Sequence, residues 1–178
     1  MDSINHNQDE GNVENLSGNE AGQKIKELCE KAKNCFFCTG ITHSAEFNTR
    51  PMAVQKIDQD GTCYFLSSKD SHKNQEIIAD SYVQLLFQAS TYSGFVSLFG
   101  RAIIFTDKKI IEELWEPLFK TWFTEGIDDP RISVIQFTPD TGYYWDTKHG
   151  QVVSFAKQVA GAIMGKTLDD SVEGNLEP

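Results

Sequence analysis

Thr49-Arg50-Pro51-Met52-Ala53-Val54-Gln55, followed by Gly61-Thr62-Cys63-Tyr64-Phe65-Leu66-Ser67-Ser68-Lys69-Asp70-Ser71-His72-Lys73, is the stretch whose reading decides the fold. Two further runs complete it, Tyr82-Val83-Gln84-Leu85-Leu86-Phe87 and Gly94-Phe95-Val96-Ser97-Leu98-Phe99-Gly100-Arg101. Apolar, strand-like segments surround a short basic, hydroxyl-rich turn that opens a helix. Ser71 is a good N-cap for that helix. A helix N-terminus offers unpaired N–H groups and partial positive charge. Hydroxyls of Ser67 and Ser71 add donors, Lys73 and Lys69 add full charge, and Arg50 on the neighbouring strand can reach across with its planar fork. The turn is a candidate seat for a phosphate, and the sheet around it for a flat ring. An ordinary cap flanked by solvated lysines is the plainer alternative.

Outward from this centre, strands are expected over Cys35–Thr42, Phe47–Ile57, Thr62–Ser67, Tyr82–Phe87, Phe95–Phe105 and 131–139. Tyr143–Trp145 extends the last after an Asp140-Thr141-Gly142 turn. Asp58-Gln59-Asp60-Gly61 reads as hairpin punctuation. Ile25, Leu28 and Ala32 recur at helical spacing up to about Lys33. Asp107 caps a second amphipathic helix carrying Ile110, Ile111, Leu114, Trp115, Leu118, Phe119 and Trp122, with Pro117 expected to kink it. Trp115 and Trp122 are expected in the core, and a last helix is expected over Val152–Met164. Short antiparallel strands interrupted by helices predict a mainly β protein with flanking helices, a closed or split β-barrel rather than a βαβ sheet.

The 178 residues fit one domain, 21–150, between a disordered acidic tail (1–20) and a C-terminal helix with an acidic tail (151–178). The net charge of −10 belongs to the ends. Residues 1–20 hold five acids and residues 167–178 hold four, neither with Lys or Arg; the rest has 17 acids against 16 bases. Nucleic acid is excluded as a partner by the lack of a basic surplus. No run has the apolar length of a membrane span and the N-terminus lacks a signal-peptide pattern, so a cytoplasmic location is expected. Cys35 and Cys38 fall three apart on a strand, on opposite faces, so neither zinc nor redox chemistry is expected of them. The four histidines form no ligand pattern, and no metal site is expected.

Thr-Arg-Pro-Met at 49–52, Tyr64-Phe65 leading into Ser71-His72-Lys73, Gly100-Arg101-Ala102, Leu114-Trp115 with Trp122-Phe123, Gly126-Ile127-Asp128-Asp129-Pro130 and Tyr144-Trp145-Asp146 occur in an order and spacing similar to one family. From about Ile25 to Asp146 the chain resembles the general stress protein 26 branch of the pyridoxamine 5′-phosphate oxidase-like family, FMN-binding split β-barrels. The resemblance implies a homodimer with FMN in a groove between subunits. It implies that Arg50, Pro51, Met52, Ala53, Val54 and Gln55 face the isoalloxazine ring, and that Leu66, Ser67, Ser71, His72 and Lys73 meet the ribityl chain and phosphate. F420 or haem is the alternative flat cofactor. The family's archetypal oxidases carry a lysine at Gln55, an arginine at His72 and a glutamine at Phe95, where an aromatic ring can stack on or edge the flavin, although a core role is the plainer expectation for Phe95. They also end in an Arg-x-His segment that holds pyridoxal phosphate. This chain ends in acids there, which argues against pyridoxamine phosphate oxidation. Three readings remain: a flavin-dependent oxidoreductase of unstated substrate, a non-enzymatic flavin-binding stress protein, and a dimeric interaction module with a degenerate pocket.

Overall fold

A computed structural model describes residues 11–42, 46–91, 93–148 and 170–178. The elements run β1 (Leu16–Ser17), α1 (Gly18–Ala32), β2 (Asn34–Thr39), β3 (Asn48–Ala53), β4 (Lys56–Ile57), β5 (Cys63–Ser68), α2 (His72–Ala79), β6 (Tyr82–Gln88) and β7 (Phe95–Phe105). There follow α3 (Lys108–Leu114), two short 3₁₀ turns (Pro117–Thr121 and Gly126–Asp128), β8 (Ile132–Thr147) and β9 (Ser171–Glu177). The helix expected over Val152–Met164 lies outside the described residues.

The strands make one sheet in the order β1-β9-β8-β7-β6-β2-β3, nearly all antiparallel. β8 is the branch point. β7 runs along one edge of it, while β5 takes Ile132–Phe137 and β9 takes Gly142–Thr147 on the other. The expected barrel does not form. Closure requires two neighbours for every strand, but among the described residues β3 pairs only with β2 and β4 only with β5. The chain leaving β3 has already committed its donors: Val54 N–H bonds the Lys33 carbonyl and Gln55 N–H bonds that of Tyr64. β4 itself is only two residues long. The result is an open, branched sheet.

Period-2 alternation sends one face inward. Val83, Leu85 and Phe87 of β6, Val96 and Leu98 of β7, and Cys63 and Phe65 of β5 are buried. α1 closes this core with Ala21, Ile25, Leu28 and Cys29. Phe37 and Phe65 meet edge to face at its centre, centroids 5.3 Å apart, a geometry that adds about 0.5–1.5 kcal/mol to the burial itself. Gly22 permits the close approach of α1 to the β4–β5 hairpin, since a Cβ there would stand 2.4 Å from the Gln59 carbonyl oxygen. All four cysteines are free and buried.

Four local expectations change. Asp140-Thr141-Gly142 is not a turn but the middle of β8, where Gly100 pairs with Pro139 and Phe99 with Thr141, leaving Asp140 as the extra residue of a bulge. Pro117 does not kink one long helix. α3 stops at Leu114, Glu116 is extended at φ −120°, and Pro117 opens a separate 3₁₀ turn, as the steric restriction on a residue before proline demands. Trp115 packs with Ile111, Leu114, Phe123 and Val134 on the opposite side of β5 and β8, but Trp122 is 60% exposed and not a core residue. Finally, Leu16–Ser17 and Ser171–Glu177, assigned to acidic tails by composition, pair with each other as strands.

Candidate functional site

The turn after β5 is built from short-range chemistry. Ser71 accepts the Asn74 N–H at 3.4 Å and so caps α2. The Ser67 hydroxyl donates to Asn74 Oδ1 at 2.8 Å and lies 3.2 Å from the Ser71 hydroxyl. Asn74 Nδ2 donates to Ser133 Oγ at 2.9 Å, and that hydroxyl donates back to the Ser67 carbonyl at 3.0 Å. Ser67, Asn74 and Ser133 are buried. This network pins the start of α2 to β5 and β8, and it engages the Ser67 hydroxyl internally.

The two lysines of the turn have different fates. Lys69 donates to the Pro130 carbonyl at 2.7 Å. Lys73 is half-buried and, among the described residues, has no hydrogen-bond or ion-pair partner. Burial and then the neighbouring Arg50 charge push its ammonium pKa below the usual lysine value, with Glu76 acting in the opposite sense. Lys73 and Arg50 are thus neighbouring cations, one of them paired with Glu76.

Arg50 reaches this point from β3. Its Nη1 donates to Glu76 Oε2 at 2.7 Å and to Thr39 Oγ1 at 3.1 Å. Thr39 also donates to Glu76 Oε2, at 2.5 Å, and Asn48 Nδ2 donates to Oε1 at 2.8 Å. Nε and Nη2 of Arg50 have no hydrogen-bond partner among the described residues.

The structure therefore brings together Arg50, Ser71, Lys73 and the exposed His72, and spreads the other expected residues. Pro51 and Ala53 are exposed on β3, while Met52 and Val54 pack against the core. Gln55 folds back so that Nε2 donates to the Ala53 carbonyl at 2.9 Å. Leu66 faces the α3 side of β5. Phe95 begins β7 at the far end, opposite Gln88 and Trp145. It stands three strands and three residues from Arg50, on the order of 15 Å by sheet geometry. Sequence reasoning missed Glu76, Asn74, Thr39, Asn48 and Ser133. The spacing of Lys73 and Glu76, three apart on a helix, was the available signal for Glu76.

A cleft of about 310 Å³ lies elsewhere, lined by Leu28, Lys31, Ser90, Ser93 and Asp146 among others, and none of the turn residues contributes to it. The outward face of the sheet carries exposed apolar side chains among polar ones. One register row joins Pro51, Phe36, Leu86, Ser97 and Tyr143 across five strands, with Phe36 58% exposed and Leu86 39% exposed. Beside it Tyr82 stacks on Phe99 at 5.4 Å. Among the described residues there is no group of three or more metal-ligating side chains and no helix long and apolar enough to cross a membrane.

A family model described as pyridoxamine 5′-phosphate oxidase like matches residues 20–169, and the chain belongs to that family. The fold is similar to that of solved structures described as general stress protein 26. A structure from Jannaschia sp. CCS1 assigned to general stress protein 26 is similar at a TM-score of 0.71 and 19% identity, over 89% of this chain and 98% of that one. A general stress FMN/FAD binding protein from Xanthomonas citri is similar at a TM-score of 0.59 and 21% identity, over 70% and 87% of the two chains. Protein bli-3 of Neurospora crassa is 28% identical over 156 residues, 81% of this chain and 75% of its own length.

Proposed function

We propose that this protein binds FMN, with the phosphate on Lys73 and the open edge of Arg50, at a site within residues 21–150. The half-buried, unpartnered Lys73 beside Arg50 carries this reading. Glu76 already pairs with Arg50, so Lys73 is the cation of the two without an ion-pair partner among the described residues, and a dianionic phosphate would supply one. β3 is an edge strand, so backbone groups along Thr49–Ala53 lie open to the hydrogen-bonding rim of a flat heterocycle. Ser71 and His72 supply the ribityl side, and Ser67 acts behind them through Asn74. The residues present thus fit the cofactor. FMN bound here supplies hydride and electron-transfer chemistry, while the chain orients it and controls its surroundings.

The same reading includes a cytoplasmic homodimer. Among the described residues one chain provides the anion seat but no walls for a ring, and exposed apolar side chains such as those of the Phe36–Leu86 row mark a surface that another surface covers. A second copy brings an aromatic rim, Phe95 and Trp145 included, toward the first copy's turn. Purified protein titrated in parallel with FMN, F420 and haem tests the assignment. Saturable binding of FMN with a yellow spectrum supports it, while preference for either other cofactor, or no binding, contradicts it. Bleaching by NADH or NADPH then favours an oxidoreductase, and inertness toward both favours a flavin-binding stress protein.

A further inference from the structure

We propose that Glu76 is a positioning residue for this site, fixing the Arg50 guanidinium so that its Nε–Nη2 edge stays open to the anion. The inference rests on the FMN reading and adds the residue that decides which part of Arg50 the phosphate meets.

Glu76 lies one turn after Lys73 on α2 and uses both carboxylate oxygens. Oε2 accepts from Arg50 Nη1 at 2.7 Å and from Thr39 at 2.5 Å, and Oε1 accepts from Asn48 at 2.8 Å. These donors come from β2 and β3, so the carboxylate is held from two strands and holds the arginine in turn. Burial pushes the Glu76 carboxyl up, but the Thr39 and Arg50 hydrogen bonds, with the charges of Arg50 and His72, outweigh it and keep the pKa below the usual value. Glu76 is therefore ionised at neutral pH.

The contact geometry separates orientation from neutralisation. A carboxylate that closes off a guanidinium takes two nitrogens side by side. Glu76 engages Nη1 alone and leaves the other two nitrogens open. Arginine on its own samples many rotamers, and ordering it on binding weakens any anion it meets. A preset Arg50 avoids that loss.

Equilibrium titration of the full chain with FMN and with riboflavin, which lacks the phosphate, tests the role in wild type, Glu76→Ala, Glu76→Gln, Arg50→Ala and the double alanine variant. Glu76→Ala is expected to weaken FMN by roughly tenfold, the scale of losing a supporting partner, and riboflavin by less than about twofold. Glu76→Gln, which keeps the shape and one acceptor, is expected to fall between. In the Arg50→Ala background the Glu76 substitution is expected to add nothing. Tighter FMN binding in Glu76→Ala, an equal loss for riboflavin, or an additive loss without Arg50 would each overturn the positioning role. Wild type that binds FMN no better than riboflavin would instead overturn the phosphate seat itself, so the two failures are distinguishable.

Discussion

Arg131–Asp129 and Arg50–Glu76, two of the three arginine–carboxylate pairs among the described residues, are built to opposite ends. Arg131 grips Asp129 with two nitrogens, Nε to Oδ1 at 3.0 Å and Nη2 to Oδ2 at 2.7 Å, while the Arg131 backbone N–H bonds Oδ1 at 3.0 Å and Nη2 also reaches the Trp122 carbonyl at 3.4 Å. The hydrogen bond and charge of Arg131 depress the Asp129 carboxyl to about 2. That pair is closed on itself and ties the loop before β8. Arg50 meets Glu76 through one nitrogen and stands beside an unpartnered lysine. The first pair is an internal brace, and the second leaves Nε and Nη2 of Arg50 without a hydrogen-bond partner among the described residues. Opposite charges in contact say little about function until the unused donors are counted.

The largest expected effect that sharpens this contrast is at Lys73. Lys73→Ala should weaken FMN about 10–100-fold, the scale of a lost hydrogen bond to a charged group, and leave riboflavin almost unchanged; fluorescence quenching on titration reads both. Adding Ser71→Ala should deepen the loss by removing the cap of α2. Next, Phe36→Glu with Leu86→Glu should convert a dimer to a monomer in analytical ultracentrifugation, and a monomeric wild type would remove the two-subunit groove.

A smaller effect is expected at the closed pair. Asp129→Asn should lower the melting temperature by a few degrees at pH 7 without changing FMN affinity. The sign follows from the depressed carboxyl: its stabilisation is present above the unfolded value of about 3.9 and fades as pH falls toward about 2. The variant and wild type should therefore converge in strong acid, and an unchanged difference at pH 2 would break the assignment.

The smallest effect is in alkali. The Lys73 pKa is depressed in the free protein, and a bound phosphate raises it, so FMN binding needs the protonated form. The FMN-to-riboflavin affinity ratio should hold through neutral pH and fall as pH rises past the lowered value, below 10.5. A ratio that stays flat well past pH 10.5 would detach Lys73 from the phosphate.

What was legible in the sequence was local. The Ser71 cap, the strand alternation around Leu85 and Leu98 and the core face of α1 each depend on residues a few positions apart, and all three stand in the structure. The family was legible too, because its marks are short motifs in order. The errors came where a distant partner decides. Asp140-Thr141-Gly142 has turn composition, but β7 on one side holds it in a strand, with Gly100 making room for the bulge. The acidic end 171–177 has no strand character of its own and becomes one by pairing with β8. Sheet closure depends on whether β3 finds a second neighbour, which no single segment encodes. At the site, Ser71 and Lys73 were readable as a pair, whereas Glu76 enters only because the register sets Thr39 opposite Asn48 and Arg50 nearby.

A crystal structure of the protein with FMN tests the central claim most directly. The account predicts phosphate oxygens within about 3 Å of Lys73 Nζ and of Arg50 Nε or Nη2, with Glu76 still on Nη1. A flavin phosphate lodged elsewhere, with Lys73 pointing into solvent, would contradict it.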